Sequence, residues 1–286
     1  MEKAQGMLIG LHVGDLLGGL MEGSGPKLPE EFQSDINDFT GSEITALTLC
    51  VLRSLIKSDG LDVKNLGKEF VTFFDSGPKS LGNTESSAFY SMKIGLDPRE
   101  CGLVSGGNGS LLRCSPLALF YAKKDLEKAS YLQTSLTHTG EVCKICDFLF
   151  LMALQMALKG MDKKAILKKT TERAKQLHLL VYDALLKIPD LNWFDLETSC
   201  YVLDTFTSAF WALLKTESFE EALISIARKG DDSRACTALT GALCGAYYGI
   251  SSIPGRWLKE IEVFEDLISQ VRKKKLENFL IEDNLK

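Results

Sequence analysis

Acidic residues stand at or near the starts of three apolar segments, where carboxylates can bind a metal ion or exchange protons. Asp15 and Glu22 lie in the first segment, Glu43 precedes the second, and Asp232 precedes the last. Oxygen ligands of this kind bind divalent cations, and paired carboxyl groups serve as general acid and base. Arg234 stands two residues after Asp232, where such a site would need a further oxygen. The chemistry of the chain therefore depends on whether these carboxylates still form a site.

A glycine-rich segment, residues 105–110, leads directly into an apolar helical pattern. Backbone N–H groups in such a turn can hold a phosphate or a pyrophosphate. Ser110 is predicted to cap the helix that follows, so a capping loop without a ligand is the alternative interpretation. The candidate ligand-binding residues here are Gly107, Asn108, Gly109 and Ser110.

Composition limits the class of protein. The chain has 286 residues, a net charge of −5, 45% hydrophobic residues and 25% charged residues, which are ordinary values for a globular protein. The net negative charge gives no excess of basic residues to bind the phosphates of nucleic acid. No apolar run is long enough to cross a membrane, and the N-terminal segment is interpreted as a structural helix rather than a signal peptide. We therefore expect neither a nucleic-acid nor a membrane partner.

The eight cysteines are scattered along the chain, mostly inside apolar helical patterns. Buried, reduced thiols without a structural disulfide are the expected state, as in a cytoplasmic protein. Cys143 and Cys146 have the spacing of a metal or redox pair, but the chain has no second pair of this kind. The cysteine pattern thus predicts a cytoplasmic location.

Apolar residues recur with helical spacing through most of the chain. Helices are predicted over residues 45–56, 148–158, 165–180, 201–214 and 235–250, and no repeated alternation indicates a sheet. Neither a linker nor an internal repeat divides the chain. These patterns predict one compact all-α domain over residues 1–286, monomeric, with the basic run 272–275 on the solvent face of a last helix.

Taken in order, these segments resemble the ADP-ribosylglycohydrolase family, which includes the ADP-ribosylarginine hydrolases and the dinitrogenase-reductase-activating glycohydrolases. The resemblance runs from about residue 5 to residue 258 and depends on the order and spacing of the motifs together. The matching segments are residues 10–22, 107–116, 137–138, 201–206, 209–211, 241–249 and 253–254, followed by Trp257.

The resemblance implies an all-α fold with a central ligand cleft, in which two Mg²⁺ or Mn²⁺ ions activate water and organise the ribose hydroxyls. ADP-ribose is then released from a modified side chain by cleavage at the anomeric carbon. The resemblance also implies that residues 107–110 and His138 contact ADP-ribose. Glu22 is the candidate base, because a carboxyl group beside an apolar helix can have a raised pKa.

Both metal-binding motifs of the family are altered in this chain. In the first, Ser42 stands at the family's Thr, Glu43 at its first Asp, and Ile44, which has no oxygen, at its second Asp. In the closing motif Asp232 is kept, whereas Arg234 replaces the second Asp.

The same closing motif ends with Ala235 at the family's final Thr or Ser, and an alternative register would use Asp231 together with Asp232. Ser42, Glu43 and Asp232 remain as possible metal ligands, which suffices for at most one weakly bound Mg²⁺ or Mn²⁺. The expected cofactor is therefore none or one such ion.

Arg234 is a candidate substitute for the missing metal, because it places fixed positive charge where the family has its ions. An unpaired buried guanidinium is costly, so Arg234 is predicted to pair with Glu22, Glu43 or Asp232.

Two functions of different class remain open at this stage. The first is an atypical, metal-poor ADP-ribosyl hydrolase in which Glu22, Glu43 and Asp232 are catalytic. The alternative is a catalytically inactive module that binds ADP-ribose or an ADP-ribosylated protein. A purely structural relic is a third interpretation, although it does not explain the intact glycine-rich segment.

Overall fold

The computed structural model describes residues 2–259 and 261–271, which form an all-α fold. In chain order its helices are α1 (Glu2–Gly18), α2 (Glu43–Ser58), α3 (Val63–Asp75), α4 (Asn83–Lys93), α5 (Gly109–Arg113), α6 (Leu117–Phe120), α7 (Lys123–Ser135), α8 (Glu141–Leu158), α9 (Lys163–Leu177), α10 (Leu179–Lys187), α11 (Val202–Lys215), α12 (Phe219–Ala227), α13 (Ser233–Tyr248) and α14 (Glu262–Val271). Short 3-10 helices lie between them, at Pro29–Glu31, Pro98–Glu100, Ile188–Asp190, Ile250–Ser252 and Gly255–Trp257. The β-pairing recorded for the described residues consists of two isolated bridges, Leu103 with His138 and Gly107 with Tyr201. The all-α prediction is confirmed.

The predicted helices are present with shifted ends, and one of them is wrong. A single helix was expected over residues 165–180, but the helix is interrupted at His178, whose backbone is extended (φ −157°, ψ 121°). A separate helix, α10, begins after this interruption and buries Val181 and Leu185. The basic run 272–275 lies outside the described residues, and the extent of the domain over residues 1–286 stays a prediction.

Helix α1 is buried along nearly its whole length and lies antiparallel to α13. Glycines at four-residue spacing allow this, because a Cβ atom at each of them would lie under 3.0 Å from the backbone of α13. The end of α1 is thereby brought beside the beginning of α13. The facing pairs are Gly6 with Gly245, Gly10 with Gly241, Gly14 with Thr237, and Gly18 with Ser233.

The first turn of α2 is attached to the same end of α1. The hydroxyl of Ser42 accepts the N–H of Ile44 at 3.1 Å and so caps the helix. Asp15 of α1 accepts the N–H of Ser42 at 2.8 Å and the hydroxyl of Thr45 at 2.6 Å. These bonds fix Glu43, the first residue of α2, close to α1 and α13.

Buried apolar side chains from these helices form one cluster that surrounds α1 and α13. All eight cysteines are unpaired; seven are buried and Cys200 is exposed. None of the described helices is long and apolar enough to span a bilayer.

Candidate active site

A cleft of about 420 Å³ opens where the segment that follows α1 meets the beginnings of α2, α5 and α13. It brings together the carboxyl groups of Glu22, Glu43 and Asp232, which are far apart in sequence. Three larger cavities, of about 610, 640 and 680 Å³, are lined by other residues. The smaller cleft is the candidate active site because it alone among these four holds the predicted carboxylates.

Glu22 lies in the turn after α1 and faces the first residues of α13. Its Oε2 accepts the backbone N–H of Arg234 at 2.8 Å. Burial raises the pKa of Glu22 above its usual value, the N–H of Arg234 opposes this, and the nearby charge of Asp232 raises it further. The protonated form of Glu22 is therefore favoured more than in a freely solvated glutamate, which suits a group that exchanges protons.

Asp232 lies directly before α13 and is joined to the glycine-rich segment. Its Oδ2 accepts the side-chain amide N–H of Asn108 at 2.7 Å, and its own backbone N–H donates to the carbonyl of Thr198 at 2.9 Å. Burial raises the pKa of Asp232. Asp231, the ligand of the alternative register, is exposed, has a left-handed backbone (φ 54°), and does not line the cleft.

Glu43 also lines the cleft, as does the apolar residue Ile44 that follows it. Its Oε1 accepts the hydroxyl of Ser80 at 3.2 Å, and burial raises its pKa. Ser42 does not line the cleft, and its hydroxyl is engaged in capping α2. Of the residues considered as metal ligands, only Glu43 and Asp232 therefore present side-chain oxygens to the cleft.

Arg234 forms an ion pair, but with a different partner from those predicted. Its Nη1 lies 3.0 Å from Oδ1 of Asp15, whose carboxylate is fully buried. The predicted partners were Glu22, Glu43 and Asp232, and among these Glu22 contacts only the backbone N–H of Arg234. Asp15 is the partner because a carboxylate without solvent needs a charged or hydrogen-bonded neighbour more than the solvent-accessible carboxylates of Glu22, Glu43 and Asp232 do.

The glycine-rich segment lies along one wall of the cleft. Gly107 and Gly109 line it, and the segment is held by a bond from the N–H of Val202 to the carbonyl of Gly106 at 2.8 Å. Asn108 lines the cleft as well, and its amide also donates to the hydroxyl of Thr205 at 2.8 Å.

The predicted cap of α5 is wrong. Asn108, not Ser110, occupies the N-cap position, and Asn108 makes no side-chain capping bond. Ser110 is fully buried in the first turn and does not line the cleft. Because α5 has only five residues, its dipole is small, and any anion bound here would depend on individual backbone N–H groups.

His138 lines the cleft and is almost completely buried. Its Nδ1 lies 2.7 Å from the hydroxyl of Thr137. Burial and the neighbouring charge of Arg113 lower the pKa of His138 to about 3. The imidazole is therefore neutral at physiological pH and can act as a hydrogen-bonding group but not as a cation.

Two charged residues of the cleft, Arg113 and Glu85, were not among the predicted site residues. Arg113, fully buried, donates to Gln133 at 2.7 Å and to Thr137 at 2.5 Å. Glu85, in the first turn of α4, has its Oε1 3.6 Å from Arg113 and 3.8 Å from His138. The one available clue was an arginine inside an otherwise apolar helical segment, which indicates a buried, paired cation.

Comparison with known proteins identifies relatives over nearly the whole chain. A family model described as ADP-ribosylglycohydrolase matches residues 1–282. The chain is 26% identical to an ADP-ribosylarginine hydrolase, Tri1, of Pseudomonas putida, over 91% of this chain and 74% of that protein. It is 25% identical to the ADP-ribosyl-[dinitrogen reductase] glycohydrolase of Rhodospirillum rubrum, over 92% and 91%. A solved structure titled ADP-ribosylglycohydrolase-related protein complex aligns with a TM-score of 0.81 and 26% identity, over 96% of this chain and 98% of that chain.

Proposed function

This chain belongs to the ADP-ribosylglycohydrolase family, and on that basis we propose that it is a hydrolase that releases ADP-ribose from a modified protein side chain. The observation that carries the proposal is the cleft itself, which the carboxyl groups of Glu22, Glu43 and Asp232 line together with a glycine-rich wall. The partner is accordingly ADP-ribose or an ADP-ribosylated protein.

The reaction requires one group that accepts a proton from water and one that donates a proton to the departing side chain. Burial raises the pKa of both Glu22 and Asp232, but at Glu22 the N–H and the positive charge of Arg234 oppose this rise, and we assign Glu22 as the acceptor. Asp232 is the donor, since burial and the charge of Asp231 favour its protonated form. The water oxygen bonds to the anomeric carbon as the bond to the side-chain atom breaks, so the proton count balances.

Glu43 completes the set without a direct proton transfer. It lines the same cleft as Glu22, and its charge contributes to the raised pKa of Glu22. A carboxylate in this position stabilises the positive charge that develops on the ribose ring in an oxocarbenium-like transition state.

The ADP part of the substrate is assigned to the glycine-rich wall. The backbone N–H groups that begin α5, starting at Gly109, are the donors for the pyrophosphate, whereas the N–H of Gly107 already donates to the hydroxyl of Ser105 at 3.1 Å. The neutral imidazole of His138 is an uncharged hydrogen-bonding neighbour. Asn108 connects this wall to the reacting groups, because its amide is bonded to Asp232.

The residues present do not fit the pair of divalent ions that the family resemblance implies. Within the described chain, no group of three or more His, Cys, Asp or Glu side chains is arranged to hold a metal ion. Ile44 and Ala235 offer no side-chain oxygen, and the hydroxyl of Ser42 is already engaged. We therefore propose a metal-poor mechanism, with no ion or one weakly bound Mg²⁺ or Mn²⁺ at Glu43 and Asp232.

The inactive binding module is the weaker alternative. A module that only binds would need the glycine-rich wall, but it would not need acidic side chains whose burial raises their pKa beside that wall. Such carboxyl groups are typical of proton-transfer sites.

The proposal is tested by measuring release of ADP-ribose from an arginine-modified protein, with Mg²⁺ and with an excess of chelator. We expect release in both conditions. Release that requires Mg²⁺ would leave the hydrolase proposal standing and contradict the metal-poor mechanism. If the folded protein releases no ADP-ribose from arginine-, serine- or glutamate-linked substrates in either condition, the hydrolase proposal is wrong.

Substitution of Gly109 should weaken ADP-ribose binding. In Gly109→Val the new Cβ would lie under 3.0 Å from the carboxyl group of Glu85, which must then leave its place beside Arg113. We expect at least about a tenfold loss of affinity for ADP-ribose, about 1.4 kcal/mol, measured by calorimetry.

The matched control is Gly255→Val, because a Cβ at Gly255 meets nothing within 4 Å and its backbone is not left-handed. This variant should bind ADP-ribose like the wild type. Equal affinities for Gly109→Val and Gly255→Val would show that the ligand does not use the glycine-rich wall.

A further inference from the structure

The cleft contains a guanidinium where the family resemblance places metal ions, and this side chain is firmly seated. Nη1 of Arg234 bonds to Oδ1 of Asp15 at 3.0 Å, and it also approaches the carbonyl of Asp15 at 3.4 Å. The other carboxylate oxygen of Asp15 is occupied by the N–H groups of Ser42 and Thr45 and by the Thr45 hydroxyl. Asp15 therefore holds a cation from its own chain and has no oxygen left for a metal ion.

The backbone is shaped to leave room for this guanidinium. Gly19 follows α1, and a Cβ atom there would lie under 3.0 Å from Nη2, Cζ and Nη1 of Arg234. Any other residue at this position would displace the guanidinium from Asp15. Three elements, α1, the start of α2 and the start of α13, thus meet at one ion pair.

Part of the guanidinium remains available to a ligand. Nη1 is used by Asp15, whereas Nε and Nη2 make no hydrogen bond to any residue in the described part of the chain. The side chain of Arg234 is 29% exposed, and it lines the cleft together with Glu22, Glu43 and Asp232. Its positive charge acts on both Glu22 and Glu43. The free donors thus lie among the groups assigned to the reaction.

We propose that Arg234 is the resident cation of this site and that its free N–H groups bind the vicinal hydroxyls of the ribose at the cleaved bond. The inference rests on the proposed function. A planar guanidinium presents parallel donors that suit two neighbouring oxygens, and it carries its charge at every accessible pH. A divalent cation placed beside it is repelled, so sugar binding here is independent of metal.

The test compares ADP-ribose with ADP, which has the same pyrophosphate and adenosine but lacks the distal ribose. Calorimetry on the wild type, with excess chelator and with Mn²⁺, is expected to give the same ADP-ribose affinity within about threefold. Arg234→Gln and Arg234→Lys are expected to lose roughly tenfold to a hundredfold in ADP-ribose affinity, the range of a hydrogen bond to a charged group, and to keep their ADP affinity.

Loss of Arg234 alone leaves the buried charge of Asp15 uncompensated and can unfold the protein. Asp15→Asn combined with Arg234→Gln removes both charges and keeps amide groups in their places, so it should fold and still show the selective loss. Arg53→Gln is the matched control, because Arg53 is an exposed arginine that does not line the cleft. Its affinities for both ligands should equal those of the wild type.

Further results would overturn the inference. Equal losses for ADP-ribose and ADP would mean that Arg234 has only a structural role. Unchanged ADP-ribose affinity in the variants, or wild-type affinity that falls more than tenfold in chelator, would also overturn it without affecting the hydrolase proposal. A folded wild type that binds neither ADP-ribose nor ADP would overturn both.

Discussion

Replacing Glu22 by Gln is expected to slow ADP-ribose release by roughly two to four orders of magnitude, the usual contribution of a general acid or base. The amide of Gln cannot accept a proton from water at neutral pH. Its side-chain oxygen can still accept the N–H of Arg234, which Glu22 accepts at 2.8 Å, so the turn after α1 keeps its place. ADP-ribose affinity and thermal stability should therefore change little.

Single-turnover release of ADP-ribose measures this effect separately from binding and product departure. Glu30→Gln is the matched control, since Glu30 lies on the exposed segment that follows and does not line the cleft. An unchanged rate in Glu22→Gln would remove Glu22 from the chemistry and leave Asp232 and Glu43 as the reacting pair.

Asp232 provides a second check on the same assignment. If Glu22 and Asp232 act as a unit, the double variant Glu22→Gln/Asp232→Asn should be little slower than the slower single variant, because groups that work together are strongly non-additive. If instead the rate loss of the double variant equals the product of the losses of the two single variants, the two carboxyl groups act in independent steps.

The resemblance to the family implied that the three acidic groups meet in one cleft, and the physical reason is visible in α1 and α13. Each acid stands beside the end of an apolar helix, and the glycines that allow close helix packing are spaced regularly in both helices. Such local patterns can be recognised in a single sequence. Ser42 shows how such a pattern can be misread, since this serine before an apolar helix was interpreted as a possible metal ligand, whereas its side chain caps α2.

The pairing of Arg234 with Asp15 could not be predicted in the same way. The two residues are 219 positions apart, and the pattern around Asp15 does not reveal that its carboxylate is fully buried. Exposed and buried acids look alike in a sequence, so the predicted partners were the acids of the recognised motifs. Glu85 was missed for the same reason, because its role depends on the distant Arg113.

The capping preference of single residue types gave a wrong prediction for α5, where tertiary contacts determine which residue lies at the N-cap. Ser110 is a good N-cap residue by type, yet the structure buries it and places Asn108 at the cap. Asn108 makes bonds to Thr205 and Asp232 that an isolated α5 could not offer. Long-range hydrogen bonds thus override the capping preference of a five-residue helix.

Gly241→Ala should show how strongly the fold depends on the contact between α1 and α13. In a helix exposed to solvent this change would stabilise the protein by about 0.5–1 kcal/mol, because Ala is the better helix former. Here the added Cβ would lie under 3.0 Å from the carbonyl of Gly10, so the two backbones must separate. Overpacking against a backbone outweighs propensity, and we expect a net loss of about 2–4 kcal/mol in the free energy of unfolding.

Thermal and denaturant unfolding measure this loss, which for a chain of 286 residues corresponds to a melting temperature lower by roughly 3–7 °C. Activity should fall as well, because separation of α1 from α13 moves Glu22 away from Asp232 and weakens the bond from the Arg234 N–H to Glu22. Gly255→Ala, at a position where a Cβ meets nothing within 4 Å, is the control and should unfold like the wild type. A Gly241→Ala protein as stable as the wild type would mean that the helices can separate without cost, and the close glycine contact would then not be what positions the carboxyl groups.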